Sequence, residues 1–182
     1  MDEPHGDVYA GVCKYISDKH GGTHPYVYHI IEKECPDEDV NLRSELGIPD
    51  DAIVLGRHGG ADTFNLSFVY HPLIKALLEN EKLYLDPRKK AQFVNTCDAM
   101  MHARFDGEIF SLATAEFAVR NKPIITWDGH DPHYDRGHIE VLKDKAFYYK
   151  DGNELFELFW SIFASKYGEL CCYYIILAGC YI

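Results

Sequence analysis

The chain has 182 residues, which suits one domain with a single hydrophobic core. Its formal net charge of −11 argues against a broad surface for binding nucleic acid, because such surfaces concentrate Lys and Arg. The 6 cysteines form no CxxC pair, and the acidic N-terminus lacks the apolar run of a signal peptide. We therefore expect reduced cysteines and a cytoplasmic protein.

The first 50 residues predict a lead-in or interdomain linker rather than a core. They are rich in Gly, His, Pro and acidic residues, with one short β-like run at 26–31. The pattern changes at residue 51, and the continuous apolar run AIVLG (52–56) predicts a strand covered on both faces. A helix is predicted for FVYHPLIKALLEN (68–80), whose apolar residues recur near a 3.6-residue period.

Strands and helices alternate along the rest of the chain. We predict a strand at 82–86, a helix at 88–98, a strand at 99–105, a helix at 110–120, strands at 122–128 and 146–150, and a helix at 153–167. This alternation predicts an α/β fold over residues 51–168, a Rossmann-like parallel sheet with helices on both faces. Such sheets bind ligands at the carboxyl ends of their strands.

The last residues, 169–182, form an apolar tail. The uniformly apolar run CCYYIILAGCYI (171–182) is too short to span a bilayer as a helix. We expect it to be a buried closing segment or a surface that docks onto a partner.

The stretch GEIFSLATAE (107–116) places two glutamates in an otherwise apolar segment. It follows a predicted strand and enters a predicted helix, where main-chain amides of residues 109–112 suit a phosphate and Gly107 lets a ligand approach closely. Carboxylates repel phosphate, so we expect Glu108 and Glu116 to bind sugar hydroxyls. On a helix, eight positions turn about 800°, or about 80° net, so both side chains could face one ligand. The stretch predicts a nucleotide-sugar site.

A second signal is the run GRHGG (56–60), which follows the first strand and includes Gly56, Gly59 and Gly60. Arg57 leaves the carboxyl end of that strand within a Gly-rich turn, where a guanidinium could grip a diphosphate through two hydrogen bonds. The run is neither a Walker loop nor GxGxxG. It therefore favours a local diphosphate site over a P-loop or a dinucleotide fold.

Together these residues resemble the donor-binding, C-terminal domain of GT-B glycosyltransferases, close to retaining glycosyltransferase family 4. The resemblance covers about residues 40–165. It consists of the Gly56-Arg57 step, Glu108 followed by an apolar-Phe-Gly-Leu-like turn at 110–112, Glu116 eight positions on, and Lys122-Pro123 opening a strand.

The resemblance implies a role for each matching residue. Arg57 would contact the donor diphosphate, Glu108 the transferred sugar and Glu116 the ribose, with Glu108 and Arg57 as the catalytic pair. The full set of implied donor-binding residues is Gly56, Arg57, Gly59, Gly60, Arg104, Gly107, Glu108, Ile109, Phe110, Ser111, Leu112 and Glu116. The family needs no metal or other cofactor, and the implied ligand is a nucleoside diphosphate sugar.

Two departures from the family pattern bear on function. The family has a Lys a few residues after the Arg, where this chain reads GGADTF (59–64), so Arg104 or Lys90 would have to supply the second cation. The family also has an N-terminal acceptor domain, whereas only about 50 residues precede the first strong strand here. We expect a donor-binding half that works with an acceptor-binding domain, or a homo-oligomer formed through the apolar tail.

Two alternatives remain open. The first is a non-catalytic sugar-nucleotide-binding or accessory subunit with the same fold. The second is a metal-dependent hydrolase built on the loop WDGHDPHYDRGH, whose candidate ligands are Asp128, His130, Asp131, His133, Asp135 and His138. We expect no metal there, because polar residues punctuated by Pro and Gly are typical of any loop after a strand.

Overall fold

The computed structural model describes residues 9–31, 40–59, 63–69, 89–129, 133–167 and 173–179. For residues 163–167 and 173–179 it describes the backbone only. Its helices are α1 (Lys14–Lys19), α2 (Lys90–Thr96), α3 (Leu112–Ala118), α4 (Gly137–Leu142) and α5 (Gly152–Tyr167), with a 3-10 turn at Lys143–Lys145. Its strands are β1 (Ile53–Gly59), β2 (Ala99–His102), β3 (Gly107–Glu108), β4 (Ile124–Trp127), β5 (Asp135–Arg136), β6 (Phe147–Tyr149) and β7 (Tyr173–Gly179). Most of the helix predicted at 68–80 and all of the strand predicted at 82–86 lie outside the described residues.

Five of these strands form one parallel sheet in the order β6-β4-β2-β1-β7. The predicted Rossmann-like α/β fold is therefore confirmed. β3 and β5 form a separate parallel pair, with Gly107 opposite Asp135 and Glu108 opposite Arg136. Because β3 follows β2 and β5 follows β4 within a few residues, this pair lies at the carboxyl edge of the main sheet.

The hydrophobic core lies in two layers, one on each face of the sheet. Alternate residues of a strand point to opposite faces, so Val54 and Ile53 belong to different layers. One layer joins Val54, Met100 and Ile124 to Phe93 of α2 and Phe117 of α3. The other joins Ile53, Leu55, Met101 and Ile125 to Phe64, to Tyr149 of β6 and to Leu155 of α5. Helices thus cover both faces, as the alternating pattern predicts.

The core begins before residue 51, where the domain was predicted to start. Leu42 and Ile48 are buried in the layer beneath α2. The Arg43 guanidinium donates to Asp98 Oδ2 at 2.6 Å, and the same oxygen accepts the amide of Val54 at 2.8 Å. Residues 40–50 are therefore part of the domain rather than a linker.

Residues 26–31 form no strand, contrary to their β-like pattern. The only pairing described there is an isolated bridge between Gly11 and Tyr26. The preceding residues contain the short helix α1, which the sequence pattern did not predict. A strand needs a neighbour along its length, and this run lies at the surface, where Val27 and Ile30 are exposed.

The apolar tail supplies β7, which pairs with β1 in register from Ile53 opposite Tyr173 to Gly59 opposite Gly179. The chain reaches β2, β4 and β6 in turn on one side of β1 and then returns through α5 to its other side. The strand order thus reverses at β1, and ligands of open α/β sheets bind at such a reversal. No helix in the described ranges combines the length and apolarity needed to cross a membrane.

Candidate functional site

The Gly56-Arg57 step lies in the carboxyl-terminal half of β1, which continues to Gly59. The prediction that Arg57 lies in a turn after the strand was wrong, because β7 extends the pairing and places Arg57 opposite Leu177. A Cβ on Gly56 would lie 2.1 Å from the Sγ of Cys97, so this glycine allows α2 to pack closely against β1. Burial raises the pKa of the Cys97 thiol, which keeps the thiol protonated and unreactive. Gly56 is thus required by packing, and Gly60 lies outside the described residues.

Arg57 is 8% exposed and lies over the ring of Phe64, with its Cζ atom 5.2 Å from the ring centroid. Gly59, at φ +142°, leaves the space that the guanidinium enters, since a Cβ there would lie 3.2 Å from Arg57 Nη2. Burial lowers the pKa of Arg57 to about 10, against the opposing effect of the Glu108 carboxylate. Within the described ranges no carboxylate forms an ion pair with this guanidinium.

Glu108, in β3, is near enough to Arg57 for its charge to oppose the lowering of the Arg57 pKa, and it is held by residues from β2 and the segment after it. Its Oε2 is 3.0 Å from Arg104 Nη1, and its Oε1 is 3.8 Å from His102 Nε2. Burial raises the pKa of Glu108, but the contacts with His102 and Arg104 outweigh it and leave the pKa below its ordinary value. The carboxylate is therefore ionised at neutral pH and can accept hydrogen bonds from hydroxyl groups.

Glu116, in α3, lies next to the other face of β1. Its Oε2 is 2.8 Å from His58 Nε2, an electrostatic contact rather than an aligned hydrogen bond, and its Oε1 accepts from Lys90 Nζ at 2.9 Å. Burial raises the pKa of Glu116, but His58 and Lys90 outweigh it and the net pKa is lowered. Lys90, one of the two cations expected to replace the missing lysine, is therefore an ion-pair partner of Glu116.

The end of β1 links the two glutamates. Arg57 and His58 are consecutive residues and point to opposite faces of the sheet, one beside Glu108 and the other in contact with Glu116. The helical-rotation argument for the glutamates was wrong, because Glu108 is in β3 and α3 begins only at Leu112. The two glutamates come from different elements and lie next to opposite faces of β1.

The turn between β3 and α3 is fixed by the chain around it. Gly107 has a φ of +70°, and a Cβ on it would lie 2.2 Å from the carbonyl oxygen of Asp135. The space beside this glycine is therefore filled by the protein's own main chain. A Cβ on Gly137 would likewise lie 1.8 Å from the carbonyl oxygen of Ile109, which also accepts from Cys13 Sγ at 3.3 Å. The glycines here allow two strands and α4 to meet.

The residues that follow Ile109 have other roles. Ser111 caps α3, accepting from the Thr114 amide at 3.2 Å. Phe110 contacts the N-terminal segment, with its ring centroid 5.1 Å from that of His29 and 6.4 Å from that of Tyr28. Leu112 is exposed. The turn is thus partly covered by residues 9–31 of the same chain.

Sequence analysis missed His102, which faces Glu108, and Thr126, which contacts His102; it named His138 only as a candidate metal ligand, whereas this side chain holds the main chain of Glu108. His102 Nδ1 lies 2.8 Å from Thr126 Oγ1, and His138 Nδ1 donates to the main-chain oxygen of Glu108 at 3.2 Å. The signal that could have found His102 is its position at the carboxyl end of β2, since ligands of such sheets bind at the carboxyl ends of the strands.

The loop proposed as a metal site has its side chains paired elsewhere. Asp128 Oδ1 lies 2.7 Å from Arg136 Nη2, and Asp135 Oδ1 accepts from Lys19 at 2.7 Å. His138 is buried and faces Glu108 and Tyr134. His130 and Asp131 are outside the described residues, and in the remainder no group of three His, Cys, Asp or Glu side chains could hold a metal ion.

The arrangement at this edge combines three cations, Arg57, Arg104 and Lys90, with the carboxylates of Glu108 and Glu116. Lys90 and Arg104 are paired with these carboxylates, so the buried Arg57 guanidinium is the group that favours a local anion site, and the ionised carboxylates near it favour hydroxyl groups. Comparison of the chain with protein-family models, curated proteins and solved structures finds no match.

Proposed function

We propose that the chain binds a nucleoside diphosphate sugar at the carboxyl ends of β1 and β2. The observation that carries this proposal is the buried Arg57 guanidinium, which forms no ion pair within the described residues and lies beside an ionised carboxylate. A buried cation costs free energy unless an anion compensates it. A diphosphate supplies that charge, and a guanidinium can bind it through two parallel hydrogen bonds.

Each neighbouring group then has a role toward one part of the ligand. Arg57 binds the diphosphate, with Arg104 as the second nearby cation. Glu108 accepts hydrogen bonds from hydroxyls of the transferred sugar, and Glu116 accepts from the ribose. Because the two glutamates lie next to opposite faces of β1, the ligand would pass across the carboxyl end of that strand.

The reaction that we propose is retaining glycosyl transfer, as in the donor-binding half of a family 4-like GT-B enzyme. Negative charge develops on the leaving nucleoside diphosphate, and a fixed guanidinium in a buried site stabilises that charge without reorganising. The same site in a protein that only binds the ligand would hold it without turnover. An acceptor-binding domain, or a second copy of the chain, is the proposed partner for transfer.

A thermal-shift series with UDP, GDP, ADP and their sugars tests binding, because a ligand that binds only the folded state raises the melting temperature of the protein.

Calorimetry with the best ligand then compares Arg57→Gln with Lys145→Gln. Both variants remove one positive charge, but the Lys145 side chain is 79% exposed. Lys145 precedes β6 and so lies at the amino end of that strand, away from the carboxyl ends where the site is. Loss of a charged hydrogen bond costs about 1.5–3 kcal/mol, so Arg57→Gln should bind about 10- to 100-fold more weakly.

Two results would contradict the proposal: no ligand of the series raises the melting temperature, or both variants bind like the wild type. Incubation of the pure chain with a radiolabelled nucleotide sugar then separates catalysis from binding. Release of the sugar or its transfer supports an enzyme, whereas binding without turnover supports a sugar-nucleotide-binding subunit.

A further inference from the structure

Four buried polar side chains lie behind Glu108, and the proposed function does not use them. They are His102, Thr126, Tyr134 and His138, and each is 3% exposed or less. They come from β2, β4, the segment before β5, and α4. Buried polar groups need hydrogen-bond partners, so the contacts of these side chains decide where their protons lie.

The contacts of His102 select one tautomer of its ring. Nδ1 lies 2.8 Å from the Thr126 hydroxyl, while Nε2 makes no hydrogen bond and lies 3.8 Å from Glu108 Oε1. If Nδ1 carried the proton, the lone pair of Nε2 would face a carboxylate oxygen in a buried site, and the two acceptors would repel. With the Thr126 hydroxyl donating to Nδ1, the Nε2–H group points at the carboxylate instead.

The charges around the ring keep it neutral. Burial lowers the pKa of His102, the cations of Arg57 and Arg104 add to this effect, and only Glu108 opposes it. His138 faces the ring from α4 with centroids 4.9 Å apart, and it is neutral because burial lowers its pKa to about 3. His102 therefore offers Glu108 a directed N–H group rather than a positive charge.

We propose that His102 is a positioning residue for Glu108. Its Nε2–H faces Oε1 while Arg104 holds Oε2, so the carboxylate is oriented from two sides. The His138 N–H holds the main chain of the same residue. A carboxylate fixed in this way loses less side-chain entropy when a ligand hydroxyl binds to it. This last step rests on the proposed function, whereas the orientation of Glu108 does not.

The first test is made on the wild-type protein without ligand. Histidine labelled with ¹⁵N gives a long-range ¹H–¹⁵N spectrum that distinguishes the two neutral tautomers from the charged ring, and His102 is assigned by its absence in His102→Gln. At pH 7 we expect the Nε2–H tautomer. Either the Nδ1–H pattern or the charged form would overturn the proposal.

The second test compares His102→Gln with His102→Asn. Both variants remove the ring, but the Gln amide reaches the position of Nε2, whereas the Asn amide reaches only that of Nδ1. Titration of the ¹³C-labelled Glu108 carboxyl should therefore resemble the wild type in His102→Gln and move to higher pH in His102→Asn. Equal titration of the two variants would overturn the proposal.

Ligand affinity separates this proposal from the one before it. With the nucleotide sugar that binds best to the wild type, His102→Asn should bind severalfold more weakly than His102→Gln, because the Glu108 carboxylate is then oriented from one side only. If no nucleotide sugar binds but the tautomer and the carboxyl titration are as expected, the proposed function fails and the positioning of Glu108 stands.

Discussion

Gly56 shows how a residue can match a binding motif and still be required for packing. It belongs to the Gly-Arg step of the resemblance, yet a Cβ at this position would meet the Cys97 thiol. Packing does not explain Arg57, the next residue, since its buried guanidinium has no ion-pair partner within the described residues. Sequence alone cannot separate these roles, because the close approach of α2 to β1 is a property of the folded chain.

We predict that Gly56→Ala lowers the free energy of unfolding by about 1–3 kcal/mol, the usual cost of overpacking a core. Urea unfolding measures this change. Cys97→Ala removes the Sγ atom at 2.1 Å but leaves its Cβ at 3.1 Å, so the double variant should recover part of the loss. Additive effects of the two substitutions would show that the contact does not limit this position.

At the scale of elements, the tail and Glu108 were located by pairing rather than by local pattern. The apolar run at 171–182 fits a docking surface as well as a strand, and only the register with β1 identifies it as β7. The sequence pattern places Glu108 just before a helix, but Glu108 lies in β3 and pairs with Arg136 of β5. A short extended segment has no internal hydrogen bonds, so its structure depends on a neighbour distant in the sequence.

Removal of residues 171–182 should therefore destabilise the whole sheet and promote aggregation. β1 would lose a seven-residue partner and expose a strand edge, which is a template for pairing between chains. Urea unfolding and size-exclusion chromatography measure the two effects. Removal of residues 180–182 alone, beyond the end of β7, is the matched control. A truncated chain that stays monomeric with an unchanged urea midpoint would contradict this role for β7.

At the scale of the whole molecule, buried ionisable groups make stability depend on pH. His102 and His138 are neutral in the folded state with lowered pKa values, that of His138 near 3, whereas an unfolded histidine titrates near about 6.5. Below pH 6.5 the unfolded chain binds more protons, so stability falls as the pH decreases. Glu108 and Glu116 have lowered pKa values too, so their contribution is lost as the pH falls below about 4.3.

We predict that each buried histidine removes up to about 1.4 kcal/mol of stability per pH unit below pH 6.5. Urea unfolding at pH 7.5, 6.5, 5.5 and 4.5 measures the slope. His138→Asn retains a donor near the Nδ1 position and cannot titrate, so its slope should be smaller than that of the wild type. Equal slopes for the wild type and His138→Asn would rule out His138 as the source.

The sequence by itself determined the alternation of strands and helices and the parallel sheet. These follow from the period of apolar residues and from the direction of right-handed crossovers, which are local rules. Only the tertiary structure decided that His58 contacts Glu116, that His102 faces Glu108, and that the tail pairs with β1. These contacts join residues that are distant in the chain, so they depend on strand order and register, and the spacing of residues within a motif carries no information about either.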